Sequence, residues 1–138
     1  MNRIQFMLIG LALSLASEIA MADVVVVVSA KSPVMALSKN QLIDIFLGKV
    51  SRYPDGTEAM PLDQAEGSGA RDEFYAKVAD KSAAQIKAYW SKIIFTGRGQ
   101  PPPTVSNSLE VRKRIRENPA AIGYIDRALV DDTVRVLF

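Results

Sequence analysis

The sequence has 138 residues, enough for one domain, and its 17 Lys+Arg against 15 Asp+Glu leave a net charge of +2. That balance is too weak to argue for nucleic acid. The absence of cysteine excludes disulfides and thiol metal sites, and the absence of histidine removes the commonest general base and the commonest metal ligand, so an enzyme would have to work with carboxylates, Lys, Ser or Tyr.

Residues 1–22 read as a leader rather than as part of the domain. Asn2-Arg3 make a short basic start, residues 6–16 are an almost unbroken apolar run, and Ala20-Met21-Ala22 fits the small-x-small cleavage pattern. Cleavage after Ala22 and a periplasmic chain beginning at Asp23 are expected. The alternative, a membrane anchor, has an apolar run shorter than the roughly 20 residues a spanning helix needs. No cysteine follows for lipid attachment.

Val24 to Val28 are five valines in a row. Valine favours strands, and a run without polar alternation predicts burial on both faces, as at the centre of a parallel sheet. Pro33 marks the turn that follows. Ser38 and Gln41 have capping-box spacing ahead of Leu42, Ile43, Ile45, Phe46 and Leu47, and Gly48 ends that helix. Residues 49–57 form a loop with the turn signature Tyr53-Pro54-Asp55-Gly56. Residues 59–64 are the second predicted strand, which Pro61 assigns to an edge or an irregular start.

Glu66-Gly67-Ser68-Gly69-Ala70-Arg71 then links strand to helix. Two glycines allow a sharp bend and close approach of a ligand. Ser68 is a natural N-cap, and the amides behind it lack intrahelical partners. Free amides and the positive end of the helix dipole favour an anion, to which Arg71 adds a charged fork of donors. An ordinary capped strand–turn–helix junction is the other reading of the same residues. The helix is expected from Gly69 or Ala70 to about Ala79, burying Phe74, Tyr75 and Val78.

Ser82 and Gln85 form a second capping box before Ile86, Tyr89, Trp90, Ile93 and Ile94, spaced for one broad face. Trp90 reads as core or as a ligand platform. Residues 96–106 are a loop with three consecutive prolines. A third long helix starts at Asn107-Ser108-Leu109-Glu110 and stops before Pro119. Its Arg112, Lys113, Arg114 and Arg116 make either a solvated face or a phosphate or membrane patch. Residues 121–125 and 134–138 read as strands, with Asp131-Asp132 a polar turn rather than a metal site. The order predicts an α/β fold, a small, mostly parallel sheet flanked by helices.

At this point the chain resembles the phosphate-binding branch of the type II periplasmic binding proteins, in a short single-lobe exported form. Leu37-Ser38-Lys39-Asn40-Gln41-Leu42-Ile43-Asp44-Ile45-Phe46-Leu47-Gly48-Lys49-Val50 is similar to the family's helix and Gly-Lys turn. Glu66-Gly67-Ser68-Gly69 resembles its anion loop, with Glu73-Phe74-Tyr75 behind it. Ala88-Tyr89-Trp90, residues 94–99 and Pro119-Ala120-Ala121-Ile122-Gly123-Tyr124-Ile125 complete the likeness. The resemblance implies one lobe over residues 23–138 and a ligand that is inorganic phosphate or a similar oxyanion.

It also implies an anion site at Gln64, Gly67, Ser68, Gly69, Ala70 and Arg71. Ser68 and Gly69 match the family's loop, Ala70 stands where it has threonine, and Gln64 stands about where it has arginine. A transporter or membrane sensor, or a second copy of the chain, is the implied partner in phosphate uptake or sensing. The alternative is a module that has lost its ligand and docks on a sensor, a secretion machine or itself. No nucleophile-elbow or Walker pattern is present, so Lys39, Lys49, Asp63, Glu66 and Arg71 are not expected to form an enzyme site, and no cofactor or metal is expected.

Overall fold

A β-branched side chain packs well on a pleated surface, and the five valines become the first strand, β1 (Val24–Ser29), buried along its whole length. The computed structural model describes residues 23–138, so the predicted leader lies outside the described residues. The remaining elements are α1 (Lys39–Phe46), β2 (Met60–Pro61), β3 (Asp63–Gln64), α2 (Gly69–Ala79), α3 (Ala83–Phe95), β4 (Thr104–Val105), α4 (Ser108–Glu117), β5 (Ala121–Asp126) and β6 (Val134–Val136). A single 3-10 turn, Arg127–Leu129, follows β5. No helix among the described residues is long and apolar enough to cross a membrane.

Successive side chains of a strand point to opposite faces, so β1 feeds two cores. Val24, Val26 and Val28 pack with Leu42 and Phe46 of α1, Phe74 of α2, Ile86 and Trp90 of α3, and Ile122 and Tyr124 of β5. Val25 and Val27 pack on the other face with Val111 and Ile115 of α4, Ala121 and Ile125 of β5, and Val134 of β6. The result is a helix–sheet–helix sandwich with three helices on one side and one on the other, the α/β class expected.

The four-stranded sheet has the order β2-β5-β1-β6. β2 is parallel to β5, whereas β1 is antiparallel to both its neighbours, with Val24 opposite Asp126 and Val27 opposite Val136. Three strands therefore run one way, and the valine strand runs against them. Its expected parallel placement is corrected: a run of valines reports burial on both faces, and strand direction is set by the chain connections.

The strand expected over residues 59–64 divides at Leu62. β2 lies at the edge of the main sheet, as Pro61 suggested, while β3 pairs in parallel with β4 in a second, two-stranded sheet. β4 falls inside the expected loop 96–106, where three prolines and a length of two residues hide it. The last strand is shorter than expected, although Leu137 N and Phe138 O still bond to Val26.

The helix starts follow local chemistry. Ser38 and Ser82 each accept from the amide three residues on while Gln41 and Gln85 reach back, two complete capping boxes. α4 lies close on the sheet because β5 carries glycine beneath it. A Cβ on Gly123 would stand 2.7 Å from Val111 Cγ1 and 3.1 Å from Ile115 Cδ1.

Candidate functional site

The end of β3 leads into the anion-loop candidate. Gly67 has φ +88°, a conformation L side chains rarely adopt, and no heavy atom lies within 4 Å of a Cβ built on Gly67 or Gly69. Ser68 is the N-cap of α2, its hydroxyl accepting from Arg71 N at 3.3 Å. The Ser68 amide turns back to Ala65 O. The amides of Gly69 and Ala70 donate to no group among the described residues, and Gly69 is exposed. The bend is exposed at Gly67 and Gly69, while Ala70 is half-buried against the main core.

Beneath it lies a buried polar network. Asp63 is 1% exposed, and its carboxylate accepts from Tyr75 OH at 2.5 Å, from Tyr124 OH and from Gln64 N at 2.9 Å. A buried carboxylate without such donors would be costly. Burial first, then the charge of Asp63, pushes the Tyr75 and Tyr124 phenols far above their ordinary value, so both stay protonated as donors. Arg71 Nη1 lies 3.9 Å from Asp63 Oδ2 and donates to Gln64 O at 3.0 Å. Its guanidinium also sits 5.7 Å from the centre of the Tyr75 ring. Arg71 therefore serves the floor of the site first.

Gln64 takes a place the sequence did not suggest. Its side-chain amide donates both protons inside the protein, to Ser108 Oγ at 3.1 Å and Tyr124 O at 3.0 Å. Its Oε1 accepts from Ser68 Oγ at 3.3 Å. Gln64 has no donor to spare for an anion, and holds Ser68 instead.

Glu66 and Arg71, on either side of the bend, border an open cleft of about 460 Å³, which Gln64, Gly67, Ser68, Gly69 and Ala70 do not line. One wall carries Asp63, Glu66, Arg71 and Asp72, and the other carries Lys87, Trp90 and Ile94 of α3, with Pro101, Pro102 and Thr104 closing the end. Lys39, Lys49 and Arg98 are not among its lining residues. Glu66 and Lys87 face each other across it, Oε1 to Nζ 3.4 Å. Trp90 packs in the main core, as the core reading has it, and also borders the cleft.

Lys87 and the proline wall were missed in the sequence. Nothing local links them to the Gly-Ser-Gly turn, and only the packing of α3 on α2 brings them there. The basic stretch of α4 lies outside the cleft: Arg112 donates to Leu129 O and lies 3.6 Å from Asp131, and Arg114 pairs with Glu110.

No protein-family model and no curated protein matches the chain. Solved structures do. A structure from Clostridium perfringens with bound phosphate, assigned to the phosphate ABC transporter substrate-binding proteins, aligns with a TM-score of 0.66 at 23% identity, over 83% of this chain and 43% of its own. An ABC-type phosphate transport receptor from Vibrio cholerae gives 0.65 at 19%, over 83% and 44%. PstS from Borrelia burgdorferi gives 0.62 at 13%, over 83% and 46%. The chain thus shares the fold of part of these proteins and spans less than half the length of each.

Proposed function

We propose that the chain is an exported oxyanion-binding module: a leader over residues 1–22, then one binding-protein-like lobe that holds phosphate or a similar anion over residues 67–71. The observation that carries this reading is the bare start of α2. The Gly69 and Ala70 amides stand unpartnered beside a cleft lined by Arg71. Unsatisfied amides at the positive end of a helix attract anions. A fold shared with proteins named for phosphate transport supports the choice of ligand.

The site should bind weakly. Arg71 is partly spent on Asp63 and Gln64, and the Glu66 and Asp72 carboxylates border the same space. A few charge-assisted bonds worth about 1.5–3 kcal/mol each must offset several kcal/mol of association cost, which puts the affinity in the micromolar to millimolar range. Tight capture would require a transporter, a sensor or a second copy to cover the cleft. The roles offered to Arg71 and Ser68 are binding and capping; Gln64 becomes a positioning residue for Ser68. No catalytic role is assigned.

Gly69→Pro tests the reading with little risk to folding. Proline at the first helical position is well tolerated, and Ser68, at φ −64° and ψ 130°, already has the extended conformation a following proline requires. The change deletes one free amide and fills the space above the bend. In calorimetric titrations with phosphate, the protein should bind and the proline variant should bind at least ~10-fold more weakly at unchanged or raised melting temperature. Equal binding by the two proteins would overturn the assignment.

A second reading, docking without a ligand, is favoured by one observation. Ile94 and Phe95, at the end of α3 beside the cleft, are exposed, Phe95 at 91%. It predicts a protein that ignores phosphate and associates through that corner.

A further inference from the structure

Helix α3 ends in a corner that the rest of the described chain leaves uncovered. Ile94 and Phe95, its last two residues, are 55% and 91% exposed. Residues 96–101 are exposed as well. A lone apolar side chain at the surface is ordinary, but here two adjoin on a turn that is firmly held. Thr96 N bonds to Lys92 O, Gly97 N to Ile94 O and Arg98 N to Ile93 O. The Thr96 hydroxyl also donates to Lys92 O at 3.0 Å. The apolar pair therefore stands on an ordered backbone, which lowers the entropy cost of docking.

The charge around that corner has one sign. From Lys81 to Leu109 the sequence has four cations, Lys81, Lys87, Lys92 and Arg98, and no carboxylate. Lys92 lies one turn before Phe95 on the helix, and Arg98 lies three residues after it. Lys87 meets Glu66. Neither Lys92 nor Arg98 lies within ion-pair distance of a carboxylate among the described residues. The basic stretch of α4 differs, since Arg112 and Arg114 are paired with Asp131 and Glu110. A hollow of about 350 Å³ beside the corner is lined by Ile94, Gly97, Gly99, Gln100 and Pro101, again without a carboxylate.

We infer that this corner is a docking point for an anionic lipid surface. Phe95 and Ile94 enter the boundary between headgroups and acyl chains, while Lys92 and Arg98 stay at the level of the phosphates. The apolar pair projects from the protein, so a partner must surround it with apolar material and meet its flanks with negative charge. A lipid surface supplies both without a pocket of matching shape. One aromatic anchor and a few cations make a contact that is weak and reversible. The inference rests on the corner named in the second reading above and gives it a partner of defined chemistry. It stands whether or not residues 67–71 hold an anion.

The unaltered chain, Phe95→Ser and Arg98→Gln are each produced by export, so that all share one N-terminus and differences between them report the corner. Each is sedimented with vesicles of phosphatidylcholine alone and of an equal mixture with phosphatidylglycerol. Both substitutions are at exposed positions, and thermal melts check that folding is unchanged. The unaltered protein should bind the mixed vesicles, and more weakly as salt is raised. Phe95→Ser should bind them about tenfold more weakly and Arg98→Gln about fivefold more weakly.

Binding to mixed vesicles that either variant retains in full overturns the inference. So does equal binding to neutral and mixed vesicles, or no binding to either. Self-association that Phe95→Ser abolishes, with no binding to lipid, overturns it while leaving the second reading in place, because the corner then meets protein.

Discussion

At the scale of single residues, the site divides by sequence distance. The cap of Ser68 on Arg71 N was legible because N-capping is a pattern of spacing three. The carboxylate of Asp63 was not, because its phenol donors come from Tyr75, 12 residues on, and Tyr124, 61 residues on. Gln64 was misjudged for the same reason, since both acceptors of its amide, Ser108 Oγ and Tyr124 O, are brought up by the fold. Other carboxylates set the response to acid. Hydrogen bonds from Arg127 to Asp23, from Thr57 to Asp55 and from Thr133 to Asp131 hold these groups below their ordinary value of 3.8. A carboxylate depressed in the folded state contributes stability above its unfolded pKa and loses it as pH falls through the folded one. Melting temperature should therefore fall only below about pH 4, and Asp131→Asn should flatten part of that decline. A melting temperature that falls as steeply between pH 7 and 5 would contradict this assignment.

At the scale of elements, helix boundaries were the most legible feature. Both capping boxes and the limits of α2 stand where Ser, Gln and Gly placed them, because those signals act within one turn. Strand pieces were less so. Leu62 hands the chain from one sheet to the other, with Leu62 N on Ile122 O and Asp63 N on Pro103 O. No residue between 59 and 64 signals that change of partner. β5 and α4 approach closely at Gly123, where β5 passes under the helix. Gly123→Ala should lower stability by about 1–3 kcal/mol in urea unfolding, since Val111 and Ile115 must move to admit a methyl group. A change near zero would mean that α4 shifts freely on the sheet.

At the scale of the whole molecule, layering was legible and the direction of β1 was not. The unbroken valines and the apolar faces of four helices implied a sheet covered on both sides, and β1 is so covered. That β1 runs against its neighbours follows from a long-range connection that composition does not encode. The architecture sets Arg71 and Asp72 of α2 and one side of α3 around a shared cleft, with the free Gly69 and Ala70 amides next to it in the chain, and the anion reading depends on those amides. The most direct measurement is a phosphate titration followed through the backbone 15N–1H resonances. The account predicts saturable shifts that are largest at Gly69 and Ala70. Saturation with those two amides unmoved, or no saturation at all, would contradict it.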